Sequence, residues 1–161
     1  MKLETPEIKK LPDREVAVVS FKGNYIANQE VFKNLFSKLC GWAGPKGLFS
    51  PDTLFIASYV DDPETTPVDE LRLDLCMTIP PNTSVEGEIK KMILPGGKYA
   101  VMHTELTNPK EYMTAWNSIA EWVKENNFKG DYTRPCYEIY LNDPEQHPEK
   151  LHLVDICVGL K

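Results

Sequence analysis

Tyr59-Val60-Asp61-Asp62-Pro63-Glu64 and Tyr140-Leu141-Asn142-Asp143-Pro144-Glu145 are two versions of one segment. A second match follows each of them: Leu73-Asp74-Leu75-Cys76 answers Val154-Asp155-Ile156-Cys157. The offset is 81 in both cases, as 140 − 59 and as 155 − 74. Two separate matches at one offset, on either side of a loop, mark an internal duplication. Upstream, Val16-Ala17-Val18 matches Tyr99-Ala100-Val101 at an offset of 83, which requires only a short insertion. The repeat halves are therefore placed at about 12–80 and 95–161, within a single domain spanning 1–161.

Each half reads strand, helix, strand, strand. In the first, Arg14 to Lys22 is rich in Val and Phe and is a strand ended by Gly23. Val31, Leu35 and Leu39, with Phe32 and Phe36 beside them, recur at helical spacing; Gly41, Gly44-Pro45 and Gly47 end that helix. Thr53 to Val60 and Glu70 to Ile79 form a hairpin around the Asp-Pro loop. In the second half, Lys98 to Leu106 is the strand after the Pro95-Gly96-Gly97 turn. Asn108 is expected to cap a helix with Pro109 in its first position, and Tyr112, Trp116, Ile119 and Val123 mark its buried face. Thr133 to Leu141 and Leu151 to Leu160 close the second hairpin, and Glu86 to Leu94 is read as a strand bridging the halves. Sequential hairpins imply an α+β fold of duplicated βαββ halves, with a largely antiparallel sheet and helices on one face.

Composition narrows the function classes. Of 161 residues, 42% are hydrophobic and 26% charged, the balance of an ordinary globular domain. The net charge of −6 argues against a chain built to grip phosphates, because nucleic-acid affinity rests on Lys and Arg neutralising the backbone. Lys9-Lys10 and Lys90-Lys91 are pairs, not patches. Met1 to Pro12 alternates Lys and Glu without an apolar core, unlike a signal peptide, and no run approaches the roughly 18 apolar residues of a membrane span. Cys40, Cys76, Cys136 and Cys157 lack Cys-x-x-Cys spacing and read as reduced thiols. A cytoplasmic protein that binds neither nucleic acid nor membrane is expected.

Strand alternation then sorts the last hairpin into two rows. Tyr137, Ile139 and Leu141 are expected to meet the helices; Cys136, Glu138 and Tyr140 lie opposite. At offset 81 the second row corresponds to Phe55, Ala57 and Tyr59, so aromatics gather on one face and only the second half adds a carboxylate. Burying that carboxylate among aromatics costs roughly several kcal/mol unless something satisfies it. Glu138 is either a solvated residue on an open sheet face, a partner of Arg72 or Arg134, or the counter-charge of a ligand.

The run from Arg134-Pro135-Cys136-Tyr137-Glu138-Ile139-Tyr140 to Lys150, followed by Val154-Asp155-Ile156-Cys157-Val158, resembles the C-terminal hallmark of GyrI-like small-molecule-binding domains. Pro95-Gly96-Gly97-Lys98-Tyr99-Ala100-Val101 and the opening strand from Pro12 to Gly23 fit the same family, so the likeness covers nearly the whole chain. The family is related to effector-binding domains of AraC-type and multidrug-sensing MerR-type regulators. The resemblance implies pseudo-twofold symmetry, a ligand channel between the halves and Glu138 inside that channel. No helix-turn-helix signature precedes the first strand, which sets this sequence apart from those regulators.

The remaining candidates are weaker. His103, His147 and His152 lack metal-ligand spacing, so neither a metal nor another cofactor is expected. Cys136 has no nearby His to activate it and reads as a wall residue. Asp74 and Asp155, at equivalent positions, read as structural. Gly96-Gly97 precedes a strand and cannot cradle phosphate at a helix N-terminus. Trp116 sits on the buried stripe, whereas Trp42 and Trp122 fall off the stripes and can edge a pocket. The expected function is binding of amphipathic, aromatic, often cationic molecules by Glu138, Tyr140, Phe55, Tyr59, Cys136, Trp122 and Trp42, for drug or toxin sequestration or sensing. Two alternatives stay open. The resemblance admits hydrolases of electrophilic, cyclopropane-bearing ligands, with Glu138 as general base and Tyr140 stabilising the departing charge. The family name also implies inhibition of DNA gyrase by protein–protein contact.

Overall fold

Runs rich in β-branched and aromatic residues, broken by Asp-Pro and Gly-rich turns, form the strands β1 (Lys2–Leu3), β2 (Glu7–Leu11), β3 (Arg14–Lys22), β4 (Phe55–Tyr59), β5 (Arg72–Thr78), β6 (Lys90–Leu94), β7 (Gly97–Leu106), β8 (Cys136–Tyr140) and β9 (His152–Gly159). The two stripes at helical spacing form α1 (Gln29–Ala43) and α2 (Glu111–Glu125). This computed structural model of the protein describes residues 1–26 and 28–161. The chain divides into two compact units, one of Asp13–Pro95 and one of Met1–Pro12 with Gly96–Lys161.

In the unit of Asp13–Pro95, β5 pairs antiparallel with β4 on one side and with β3 on the other, and β6 lies beyond β3. β6 therefore extends its own unit's sheet and does not bridge the halves as the sequence reading expected. Helix α1 packs on β3 and β5, and its Phe36 meets Phe55 of β4 with ring centroids 5.6 Å apart. Because Phe55 opposes Met77, Ala57 opposes Leu75 and Tyr59 opposes Leu73, this row is the α1-facing one. The helix runs through Gly41, with the Gly44 amide donating to Cys40 O at 2.9 Å. Gly41 is helical and crowds nothing within 4 Å, so it need not stop the helix; the left-handed turn falls at Gly47, φ +65°.

The second unit repeats this plan. β9 pairs with β7 and β8, again antiparallel throughout. Under α2 lies a core of Ala100, Met102 and Leu106 from β7, Val154 and Ile156 from β9, and Ala115, Ile119 and Val123 from the helix. Burying an Ile or Leu side chain here contributes about 1.5–3 kcal/mol, the largest favourable force holding helix to sheet. Asn108 caps the turn that enters the helix, its Oδ1 accepting from the Lys110 amide at 2.9 Å and its carbonyl from the Glu111 amide at 3.2 Å; the Thr107 hydroxyl donates to Glu111 Oε1 at 2.6 Å, and the regular helix starts at Glu111, two residues after Pro109.

Registers confirm the duplication strand by strand. Asp74 faces Ser20 on one side and Ser58 on the other; Asp155 faces His103 and Ile139. These partners are related by the same offsets of 83 and 81 that the sequence shows. The equivalent aspartates make equivalent bonds: Ser20 Oγ donates to Asp74 at 2.6 Å, and His103 Nδ1 lies 2.8 Å from Asp155. Met1–Pro12 adds what the repeat lacks. β2 pairs with β7 from Glu7↔Val101 to Leu11↔Gly97, and β1 continues along it with Lys2↔Glu105. A Cβ on Gly96 would overlap Leu11 O and lie 2.6 Å from Pro12 O, so only glycine lets this strand reach β7.

Candidate functional site

Glu138 reaches its site through β9. It opposes Ile156, and Tyr140 opposes Val154, both members of the core beneath α2. Residues directly opposite on paired strands share a face, so Glu138 and Tyr140 point towards α2. This reverses the expected assignment of rows. Tyr137 lies on the other face, where it stacks on Tyr99 at 5.4 Å, and Leu141 is 42% exposed. Alternation separates the two rows, but the choice of which one meets the helix rests with β9.

Glu138 is 3% exposed, which removes the solvated reading. Trp116 Nε1 donates to Oε2 at 2.6 Å, and the Tyr140 hydroxyl donates to Oε1 at 2.6 Å. Bonds this short to an anion are the charge-assisted kind. The two arginines considered as partners bind elsewhere. Arg72 forms a forked pair with Asp61 at 2.7 and 3.0 Å. Arg134 meets Asp131 at 3.3 Å and donates to the carbonyls of Gly96, Lys98 and Leu160.

Tyr112 stands one helical turn before Trp116 on the same face of α2. Burial, with the negative charge of Glu138 added, raises its phenol pKa well above the ordinary range, so it keeps its proton. Its hydroxyl lies 3.1 Å from His152 Nδ1, and the two rings meet edge to face at 5.8 Å. Burial lowers the pKa of His152, against the raising influence of Glu111 and Glu145. Trp116, Tyr112 and His152 were not foreseen as site residues. Tyr112 and Trp116 match Phe32 and Phe36 of α1 at an offset of 80, so the repeat carried a signal for them. Where the first unit has hydrocarbon rings, Phe32 against Tyr25 and Phe36 against Phe55, the second has hydrogen-bonding rings, Tyr112 against His152 and Trp116 on Glu138.

The other expected residues have partners of their own within their units. Cys136 begins the row of Glu138 and is half-buried. Phe55 packs with Phe36 and Phe49, and Tyr59 with Tyr25, all in the unit of Asp13–Pro95. Trp122 stacks on Phe128 at 5.7 Å. Trp42 donates to Glu86 at 3.2 Å beneath Lys46. Two surface depressions lie elsewhere: one of about 310 Å³ beside Phe49 and Ile79, and one of about 270 Å³ beside Glu4, His103 and Asp155. Among the described residues no group of three or more His, Cys, Asp or Glu could hold a metal, and no helix is long and apolar enough to cross a membrane.

The fold is a duplicated βαββ arrangement of the α+β class, and residues 4–161 match the model of the GyrI-like small molecule binding domain. The chain belongs to this family. It is 36% identical over 112 residues to "DNA gyrase inhibitor 2" of Dickeya dadantii, covering 67% of this chain and 68% of the relative. In fold it is similar to the C-terminal domain of EcmrR, with TM-score 0.76 and 12% identity over 98% of this chain and 97% of that one. Against EcmrR in its DNA complex the TM-score is 0.77, and the chain spans 57% of that protein's length. It is also similar to SAV2435, whose structure holds tetraphenylphosphonium, with TM-score 0.63 and 12% identity over 98% and 94% of the two chains.

Proposed function

We propose that the protein binds aromatic or amphipathic cations with Glu138 as the counter-charge, and so sequesters or senses drug-like molecules. One observation carries this reading: a glutamate 3% exposed, both of whose carboxylate oxygens are held at 2.6 Å by ring donors. Indole and phenol fix the oxygens in place without cancelling their charge. A cation brought to the carboxylate gains a Coulombic attraction that low local polarity strengthens, and the faces of Trp116, Tyr112 and Tyr140 add cation–π attraction. The tetraphenylphosphonium in SAV2435 is a ligand of this class, which supports the reading.

The test is calorimetric titration of tetraphenylphosphonium and of neutral triphenylphosphine oxide into the wild type and Glu138→Gln. The amide keeps the shape and loses the charge, so the cation should lose about 1.5–3 kcal/mol, the range for hydrogen bonds to charged groups. The neutral compound should lose little. Equal losses would make Glu138 a structural residue.

The Glu138–Tyr140 contact of 2.6 Å supports a second reading, hydrolysis of electrophilic ligands. Glu138 would take a proton from water and the Tyr140 hydroxyl would steady the departing charge. Consumption of an electrophile that Glu138→Gln abolishes would decide for it. The name of the Dickeya relative makes DNA gyrase the macromolecular partner to test, by a supercoiling assay with the purified chain.

A further inference from the structure

His152 has no part in the reading so far, yet it shares a hydrogen bond with a wall of the Glu138 site. It opens β9 two residues before Val154, so its side chain points to the same face as Val154, Tyr140 and Glu138. Its ring nitrogen is 3.1 Å from the Tyr112 hydroxyl and its ring meets that of Tyr112 edge to face. Tyr112 in turn feels the charge of Glu138. The chain of groups from His152 through Tyr112 to Glu138 lies wholly within one unit.

We propose that His152 makes cation capture at Glu138 proton-gated, so that the site holds a cation when the imidazole is neutral and releases it when the imidazole is charged. The inference rests on the cation-binding reading above. The neutral ring contributes no net charge and can accept the Tyr112 hydroxyl hydrogen through Nδ1, which orients the phenol. The imidazolium carries hydrogens on both nitrogens and cannot accept from that hydroxyl. It also sets a positive charge beside Tyr112, where it repels a bound cation whichever ring tautomer came before.

The surroundings favour a switch in an accessible pH range. The groups facing His152 are Tyr112 and Glu111 from α2 and Glu145 from the turn after β8; across the ladder on β7 stands the apolar Leu106. Glu111 is already held by Thr107, and Glu145 lies 3.9 Å from Lys150. Burial lowers the imidazole pKa and the two glutamates oppose that, so the charge change falls below the ordinary histidine value of about 6.5. Linkage makes the effect reciprocal: a cation that binds only beside neutral His152 must lower the pKa of that histidine further.

The experiment measures tetraphenylphosphonium affinity at pH 7.5 and 5.5 for the wild type, His152→Gln and Glu138→Gln, with the His152 imidazole followed by NMR in the wild type with and without ligand. The wild type should lose about three- to tenfold in affinity on acidification, the size of a like-charge repulsion across several ångströms of screened protein. His152→Gln should lose less than twofold, and saturating ligand should move the wild-type His152 midpoint to lower pH. Equal pH dependence in the wild type and His152→Gln, or a midpoint indifferent to ligand, would overturn the gate while leaving a Glu138-dependent affinity at pH 7.5 intact. No binding at pH 7.5, or binding that Glu138→Gln leaves unchanged, would overturn the cation site and the gate together. The NMR titration decides the matter in the wild type even if the variant does not fold.

Discussion

Trp116→Phe, alone and combined with Glu138→Gln, measures how firmly the carboxylate is built into the fold. The indole N–H lies 2.6 Å from Oε2 of a residue 3% exposed, so water cannot replace the lost donor. Removing a hydrogen bond to a buried charged group costs about 1.5–3 kcal/mol, and the smaller ring forfeits roughly another 1 kcal/mol of buried apolar surface. Trp116→Phe should therefore destabilise by about 2.5–4 kcal/mol. In the Glu138→Gln background the bond is neutral and worth about 0.5–1.5 kcal/mol. The amide must aim its oxygen at Trp116, which can only donate, and its NH₂ at Tyr140, whose hydroxyl can turn to accept. The same substitution should then cost about 1–1.5 kcal/mol less, a difference read as a coupling energy. Urea unfolding followed by far-ultraviolet circular dichroism gives all four stabilities. A coupling below about 0.5 kcal/mol would refute the argument that Trp116 holds a buried charge.

Gly96→Ala should destabilise by about 3 kcal/mol or detach β2, since its Cβ overlaps the Leu11 carbonyl and backbone must move; a melting temperature within 2 °C of wild type, against the several degrees that about 1 kcal/mol shifts, would contradict this. Arg72 lowers the pKa of the Asp61 carboxyl, chiefly through its hydrogen bonds. A depressed acid contributes stability that is present above its unfolded value of about 3.9 and is lost as pH falls through the folded value. Asp61→Asn should accordingly flatten the fall in stability below about pH 4 that the wild type shows in acid urea titrations; identical slopes would show that the exposed pair contributes nothing.

Much of the architecture was legible in residue order. The offsets of 81 and 83 recur as strand registers, with Ser20, Asp74 and Ser58 in one unit answering His103, Asp155 and Ile139 in the other. Both helices and both hairpins follow from local periodicity, because spacing of 3.6 or 2 is a property of neighbours along the chain. Glu138 also stands out in sequence, as an isolated charge in an apolar strand.

What tertiary structure decided involves partners far apart in sequence. Met1–Pro12 is short, charged and mostly exposed, and it becomes strand only because the free edge of β7, about ninety residues on, offers it backbone partners. The face of Glu138 was settled in the same way. Two-residue alternation is symmetric about the sheet, and β8 turns Glu138 towards α2 because its register on β9 sets it opposite Ile156, whose side chain is buried beneath that helix. From that contact follow the 2.6 Å bond to Trp116 and the proximity of Tyr112 and, through it, His152. No local pattern encodes them, because a hydrogen bond between a helix and a strand exists only once packing has brought the two elements together.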